Sequence, residues 1–121
     1  MNMAKIVLIG VEPAAARQIG GALAADGHHI AEKEQPVAIE DLLDVDVVFA
    51  GGGPTGYMPL LRCIRDARPS LPFIVVSRIP ETNEWLDALE AGATDYCAAP
   101  IDTRHLQWLM ESALPRRVAA A

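Results

Sequence analysis

Apolar residues gather along this chain in short runs set off by glycine, proline and charge, and the period of each run predicts an element. Lys5-Ile6-Val7-Leu8-Ile9-Gly10 is almost continuously apolar, the mark of a parallel strand buried on both faces. Val45 to Ala50 and Phe73 to Ser77 read the same way. His28 to Glu32 is more polar and suits a sheet edge. A fifth short run, Thr94 to Cys97, is followed by Pro100, which holds Ala99 extended. Between the strands the period lengthens. Ala14 to Asp26, opened by Pro13 and closed by Gly27, brings Ala15, Ile19, Ala22 and Leu23 to one helix face. Further helices are expected from Val37 to Leu43, Tyr57 to Ala67, Thr82 to Ala91 and Thr103 to Leu114, with Pro59 in the first turn of the third. Leu86 and Leu89 form the expected core face of the fourth helix, and Leu106, Leu109, Met110 and Ala113 that of the fifth.

Strands alternating with helices through short loops predict an α/β domain with a parallel sheet, and right-handed crossovers leave few topologies. The chain of 121 residues suits one domain, residues 1–114, followed by a short tail, 115–121. Composition adds little beyond this: 51% apolar and 21% charged residues describe an ordinary globular chain. The net charge of −6 excludes more, because a nucleic-acid surface needs clustered Lys and Arg. Cys63 and Cys97 stand apart with no metal-ligand or redox spacing, and both are expected as small apolar core residues of a reducing compartment. The apolar run near the amino terminus stops at Glu12-Pro13, too short for a signal-peptide core or a membrane span, so a cytoplasmic protein is expected.

One stretch is far more specific. Ala88-Leu89-Glu90-Ala91-Gly92-Ala93-Thr94-Asp95-Tyr96-Cys97-Ala98-Ala99-Pro100 reads as a helix end, a glycine stop, a short strand and a proline. It closely resembles the last helix-to-strand passage of bacterial response-regulator receiver domains, A-L-x-A-G-A-x-D-Y-[LV]-x-K-P, with Cys97 in place of Leu or Val and Ala99 in place of the lysine. The resemblance extends from about Ala4 to Leu114. It implies a flavodoxin-like, doubly wound sheet of five parallel strands in the order 2-1-3-4-5, with helices on both faces and a crevice at the carboxyl ends of strands 1 and 3.

A receiver, as the resemblance implies, takes a phosphoryl group from a phosphohistidine donor onto an aspartate ending strand 3. An acidic pair after strand 1 holds Mg²⁺, a lysine before the proline supplies a second cation, and a Ser or Thr ends strand 4. Here the acidic-pair positions are Gly10 and Val11, while Glu12 and Pro13 remain in register. The phosphoacceptor position falls on Ala50 counted back from Pro54, or on Gly51 counted forward from Asp46. The choice is immaterial, because no carboxylate occurs from Val47 to Arg65. Ser77 and Tyr96 keep the two switch positions. The resemblance thus implies a degenerate receiver, not an enzyme, with no metal and no cofactor.

Three other readings bear on function. The loop Gly51-Gly52-Gly53-Pro54-Thr55-Gly56 follows a strand and opens a helix, which suits a phosphate or nucleotide, although Tyr57-Met58 stand where a P-loop has Lys and Ser/Thr. His28, His29 and His105 have no sequence neighbour that would activate them. The reading preferred is a protein-interaction module, binding a partner or a second copy through the face of helix 4, strand 5 and helix 5. Trp85 and Trp108 are its candidate anchors, with no direct nucleic-acid or membrane contact. Finally, Arg78 follows Ser77 at the crevice and is expected to lie over it, reaching toward Glu12.

Overall fold

The computed structural model describes residues 3–79 and 81–114. The apolar runs become the strands β1 (Lys5–Ile9), β3 (Val47–Ala50) and β4 (Phe73–Ser77), and all four residues of β3 are buried. β2 (His29–Lys33) and β5 (Asp95–Ala98) complete a parallel sheet in the order β2-β1-β3-β4-β5. This is the doubly wound, flavodoxin-like order, and the polar β2 is an edge strand. Strand residues alternate between two apolar layers because successive side chains point to opposite faces. Ile6, Leu8, Val47 and Phe49 pack with α1 (Pro13–Ala25) and α4 (Thr103–Ala113). Val7, Ile9, Val48 and Ala50 pack on the other face with α2 (Pro54–Ala67) and with Ala88 of α3 (Thr82–Glu90). Among the described residues no helix is long and apolar enough to cross a membrane.

Local expectations fail at four places. The helix expected from Val37 to Leu43 is only a 3-10 turn, Ile39–Leu42, in which Leu42 alone is buried. Val37 and Ile39 pack against the same core only partly buried, which gives a longer helix little to hold it. α2 begins at Pro54, not Tyr57, since Pro54 takes the first helical position after Gly53. Pro59 therefore lies inside the helix, where its missing N–H costs an intrahelical bond. In α3 the expected core face is exposed, with Leu86 48% and Leu89 36% accessible, and Ala88 is the residue that packs inward. Beyond these four, Cys63 is exposed where a core position was expected, because α2 turns Tyr57, Leu60, Leu61 and Ile64 inward, while Cys97 is buried. The expected tail lies outside the described residues.

Two arginines tie the loops to this frame. Arg65 donates from Nε to the Gly92 carbonyl at 2.8 Å and from Nη1 to the carbonyls of Leu71 at 2.7 Å and Arg68 at 3.3 Å. Arg68 Nη1 donates to the carbonyls of Leu42 and Val45 at 2.7 and 2.6 Å. At the amino end of the sheet, the Asp46 carboxylate accepts the Lys5 N–H at 2.8 Å, and Lys5 Nζ pairs with Asp44 at 2.7 Å. Asp44 and Asp46, which precede β3, thus both reach Lys5 at the start of β1, Asp44 from an exposed position.

Candidate functional site

The carboxyl ends of the central strands open onto one crevice. Ile9 pairs with Ala50, Ala50 with Val75 and Ser77 with Ala98, so Gly10, Gly51, Arg78 and Ala99 all leave the sheet at this end. The cavity there measures about 340 Å³, and Gly10, Glu12, Gly53, Ser77, Arg78 and Ala99 contribute to its walls, with Tyr57 and Glu84 toward α3.

Backbone fills the space between β1 and β3. A β-carbon on Gly51 would lie 3.1 Å from the Gly10 oxygen, 3.1 Å from Val11 Cα and 3.3 Å from the Val76 oxygen. Gly10 makes this approach possible at φ +64°, a conformation that favours glycine. The Gly51 N–H donates to the Ile9 carbonyl at 3.0 Å and fixes the contact. Ala50 points the other way, into the layer with Tyr57 and Tyr96, and is fully buried. Both positions counted from the sequence for the phosphoacceptor are therefore closed, one by backbone and one by core.

Mg²⁺ needs several oxygen ligands in a near-octahedral set. Gly10, Val11, Ala50 and Gly51 offer no side-chain oxygen, and among the described residues no three His, Cys, Asp or Glu side chains converge on a metal position. The residues present do not fit the ion that the receiver resemblance implies. Ala99 stands half-buried where the lysine is expected, and its N–H donates to the Ser77 carbonyl at 2.8 Å. Arg78 Nη1 lies 3.3 Å from Glu12 Oε2 over the crevice. With side chains 70% and 41% exposed, that pair contributes at most about 1 kcal/mol.

Tyr96 turns inward. It is 8% exposed, Tyr57 is 2% exposed, and each hydroxyl is buried with no hydrogen-bond partner among the described residues. Burial pushes the Tyr57 phenol up to about 12, with Tyr96, Glu84 and Asp87 adding in the same direction. The buried Cys97 thiol is likewise pushed up to about 12 by burial, with a smaller push from Asp95. Both groups resist ionisation in the folded chain and ionise first in the unfolded one. Their stabilisation is complete below the unfolded values, near 9 and 10, and is lost as pH rises toward 12. Thermal melts should therefore show a steep alkaline loss across that window, reduced in Tyr57→Phe and in Cys97→Ala. Tyr57→Phe at pH 7 should be neutral or stabilising by up to ~1 kcal/mol, since it removes an unpartnered buried hydroxyl. A melting temperature flat from pH 8 to 11 would contradict this.

The sheet's β5 edge carries a second feature. α3 and α4 flank it and leave a trough of about 300 Å³, lined by Thr82, Trp85, Tyr96, Cys97, Ala98 and His105. Trp85 is 43% and Trp108 56% exposed, and the Trp108 ring leans on His105 with centroids 6.2 Å apart. Leu106, Leu109 and Met110 are the buried side of α4. The exposed Leu86 and Leu89 extend this face along α3, a feature that periodicity alone assigned to the core.

No protein-family model matches the chain. Over 94 residues, 77% of its length, it is 32% identical to the transcriptional regulatory protein ZraR of Salmonella typhimurium, covering 20% of that protein. The chain spans about one fifth of the length of the curated relatives it matches. It superimposes on a two-component response regulator from Clostridium difficile with a TM-score of 0.81 at 22% identity, covering 95% of this chain and 98% of that one. The receiver domain of NtrX from Brucella abortus gives 0.79 at 22% identity, covering 90% and 97%. The chemotaxis protein CheY4 of Vibrio cholerae gives 0.80 at 13% identity, covering 93% and 100%. With its strand order and its crevice at the strand ends, the chain has the fold of response-regulator receiver domains.

Proposed function

We propose that this chain is a receiver domain of two-component signalling that has lost the aspartyl-phosphate route and acts by binding protein through the α3–β5–α4 face. The observation that carries the reading is Gly51. The backbone of Gly10, Val11 and Val76 closes on it, at the strand end where a phosphoacceptor is expected. With Gly10, Val11 and Ala99 in the neighbouring positions, the places where a receiver carries its aspartate, its acidic pair and its lysine hold none of them. One lost group is open to compensation by a neighbour such as Glu12. Four lost together are not. The similarity to ZraR, a transcriptional regulatory protein, supports a regulatory setting for the domain.

The test is incubation with a small phosphodonor and Mg²⁺ followed by intact-mass measurement. No phosphoryl adduct is expected, and millimolar Mg²⁺ should leave the tryptophan fluorescence unchanged. A base-labile phosphoryl group on a carboxylate would refute the reading. A phosphate or nucleotide at the Gly51–Gly56 loop is the alternative, favoured by an α2 amino terminus with no side-chain cap beside the cavity. Against it, Glu12 and Glu84 share the same walls, and the Arg78 guanidinium already faces Glu12. Thermal-shift titration with inorganic phosphate and ATP should show no stabilisation.

A further inference from the structure

We propose that the α3–β5–α4 face receives a positively charged amphipathic helix from a protein partner. This rests on the reading of that face as the interaction surface, and adds the chemistry of what it takes. α3 buries one side chain fully, Ala88, while Trp85, Leu86 and Leu89 are all more than a third exposed. At about 100° per residue these three fall within one arc of roughly 100°, on a helix of nine residues. Such a short helix is stable only through packing, so an apolar stripe left in water is the part of the fold with most to gain from a partner.

The charges along this stretch of chain are of one sign, with Arg65 of α2 reaching only the Gly92 carbonyl beyond the end of α3. From Ile79 to Thr103 there is no Lys or Arg, whereas Glu81, Glu84, Asp87, Glu90, Asp95 and Asp102 all fall in that span. Asp87 and Glu90 border the stripe on the next arc of α3, and Glu81 lines the trough over β5. On the α4 side the trough is lined by His105, and its sequence neighbour Arg104 stands at the start of that helix. An apolar stripe bordered by Asp87 and Glu90, with Glu81 at the adjoining trough, selects a partner with apolar anchors at helical spacing and flanking Lys or Arg. The trough of about 300 Å³ between two helices has room for one or two such anchors over Tyr96, Cys97 and Ala98. The same charges oppose the other occupants. A second copy docked by this face would bring α3 carboxylates toward α3 carboxylates, and an anionic lipid surface would be repelled.

A tryptophan-free synthetic amphipathic helix of Leu and Lys serves as probe, against the same peptide with every Lys replaced by Glu. The Lys peptide should saturably blue-shift the emission of Trp85 and Trp108, with affinity falling as salt rises; the Glu peptide should do nothing. The triple variant Glu81→Gln, Asp87→Asn, Glu90→Gln and the single variant Trp85→Ala should each lose at least tenfold in affinity. Glu40→Gln with Asp41→Asn, at the opposite sheet edge, should lose none. Equal binding of both peptides, or equal loss in the opposite-edge control, would overturn the proposal. Sedimentation separates it from the reading beneath it. A dimer weakened by Trp108→Ala but indifferent to the triple variant keeps the interaction face and overturns the basic partner.

Discussion

Gly51→Asp will not create a phosphoacceptor, and it will unfold at a lower temperature than the parent chain. The first β-carbon of the new side chain meets the Gly10 oxygen and Val11 Cα at 3.1 Å and the Val76 oxygen at 3.3 Å, tighter than nine in ten real β-carbon contacts. All three obstacles are backbone, held by strand pairing, so none moves aside as the end of a flexible side chain does. Relief requires β1, β3 and β4 to part at their carboxyl ends, a form of overpacking that costs roughly 1–3 kcal/mol. For a domain of this size that corresponds to a fall in melting temperature of roughly 3–15 °C. The carboxylate itself gains nothing, since the flanking positions, Gly10, Val11 and Ala99, still supply neither metal ligands nor a cation. The checks are a melting curve and intact mass after exposure to a phosphodonor with Mg²⁺. A variant that melts with the parent chain would show that the strand ends are not closed on Gly51. A variant that takes up a phosphoryl group would show that the missing neighbours are dispensable.

Arg65→Ala should destabilise the fold by ~3 kcal/mol, the largest loss expected of any single polar side chain here. Its guanidinium reaches Gly92 at the α3–β5 turn and Leu71 in the α2–β4 loop with bonds of 2.8 and 2.7 Å. Bonds from a charged donor are worth about 1.5–3 kcal/mol each, and removing the donor leaves half-buried carbonyls unpaired. Burial also draws the Arg65 pKa downward, the mark of a cation taken partly out of water. Arg65→Lys should recover little, because a point charge cannot direct two bonds from one planar fork. Gly92→Ala attacks the same joint from the other side. Gly92 sits at φ +108°, and a β-carbon there would lie 3.2 Å from Cγ, Cδ and Nε of Arg65. The double variant should cost less than the sum of the two single ones, since either change breaks the same contact. Strict additivity in urea titrations would show that the two residues act independently.

The sequence by itself determined the strands and the residue types at the ends of β1 and β3. Burial on two faces demands a continuous apolar run, and Lys5 to Ile9 and Phe73 to Ser77 carry that demand in their own residues. The absence of a carboxylate from Val47 to Arg65 is likewise a property of the string, needing no coordinates. The proximity of Arg78 to Glu12 followed from strand order once the family resemblance was granted, but not the exposure that makes the pair weak.

Tertiary structure decided which predicted faces found a neighbour. Leu86 and Leu89 have the spacing of a core stripe, yet α3 is turned so that Ala88 meets the sheet and both leucines face water. Periodicity states that a helix has an apolar side, and only packing against the rest of the chain fixes where that side points. The segment from Val37 to Leu43 had helical composition but only Leu42 to bury, so a 3-10 turn formed there. Arg65 and Arg68 look like ordinary surface charges of an amphipathic helix, because the carbonyls they bind lie on loops brought near only when the sheet assembles. Gly51 belongs with them: a glycine in a loop signals freedom in the sequence, and only the approach of Gly10, Val11 and Val76 makes it an obligation.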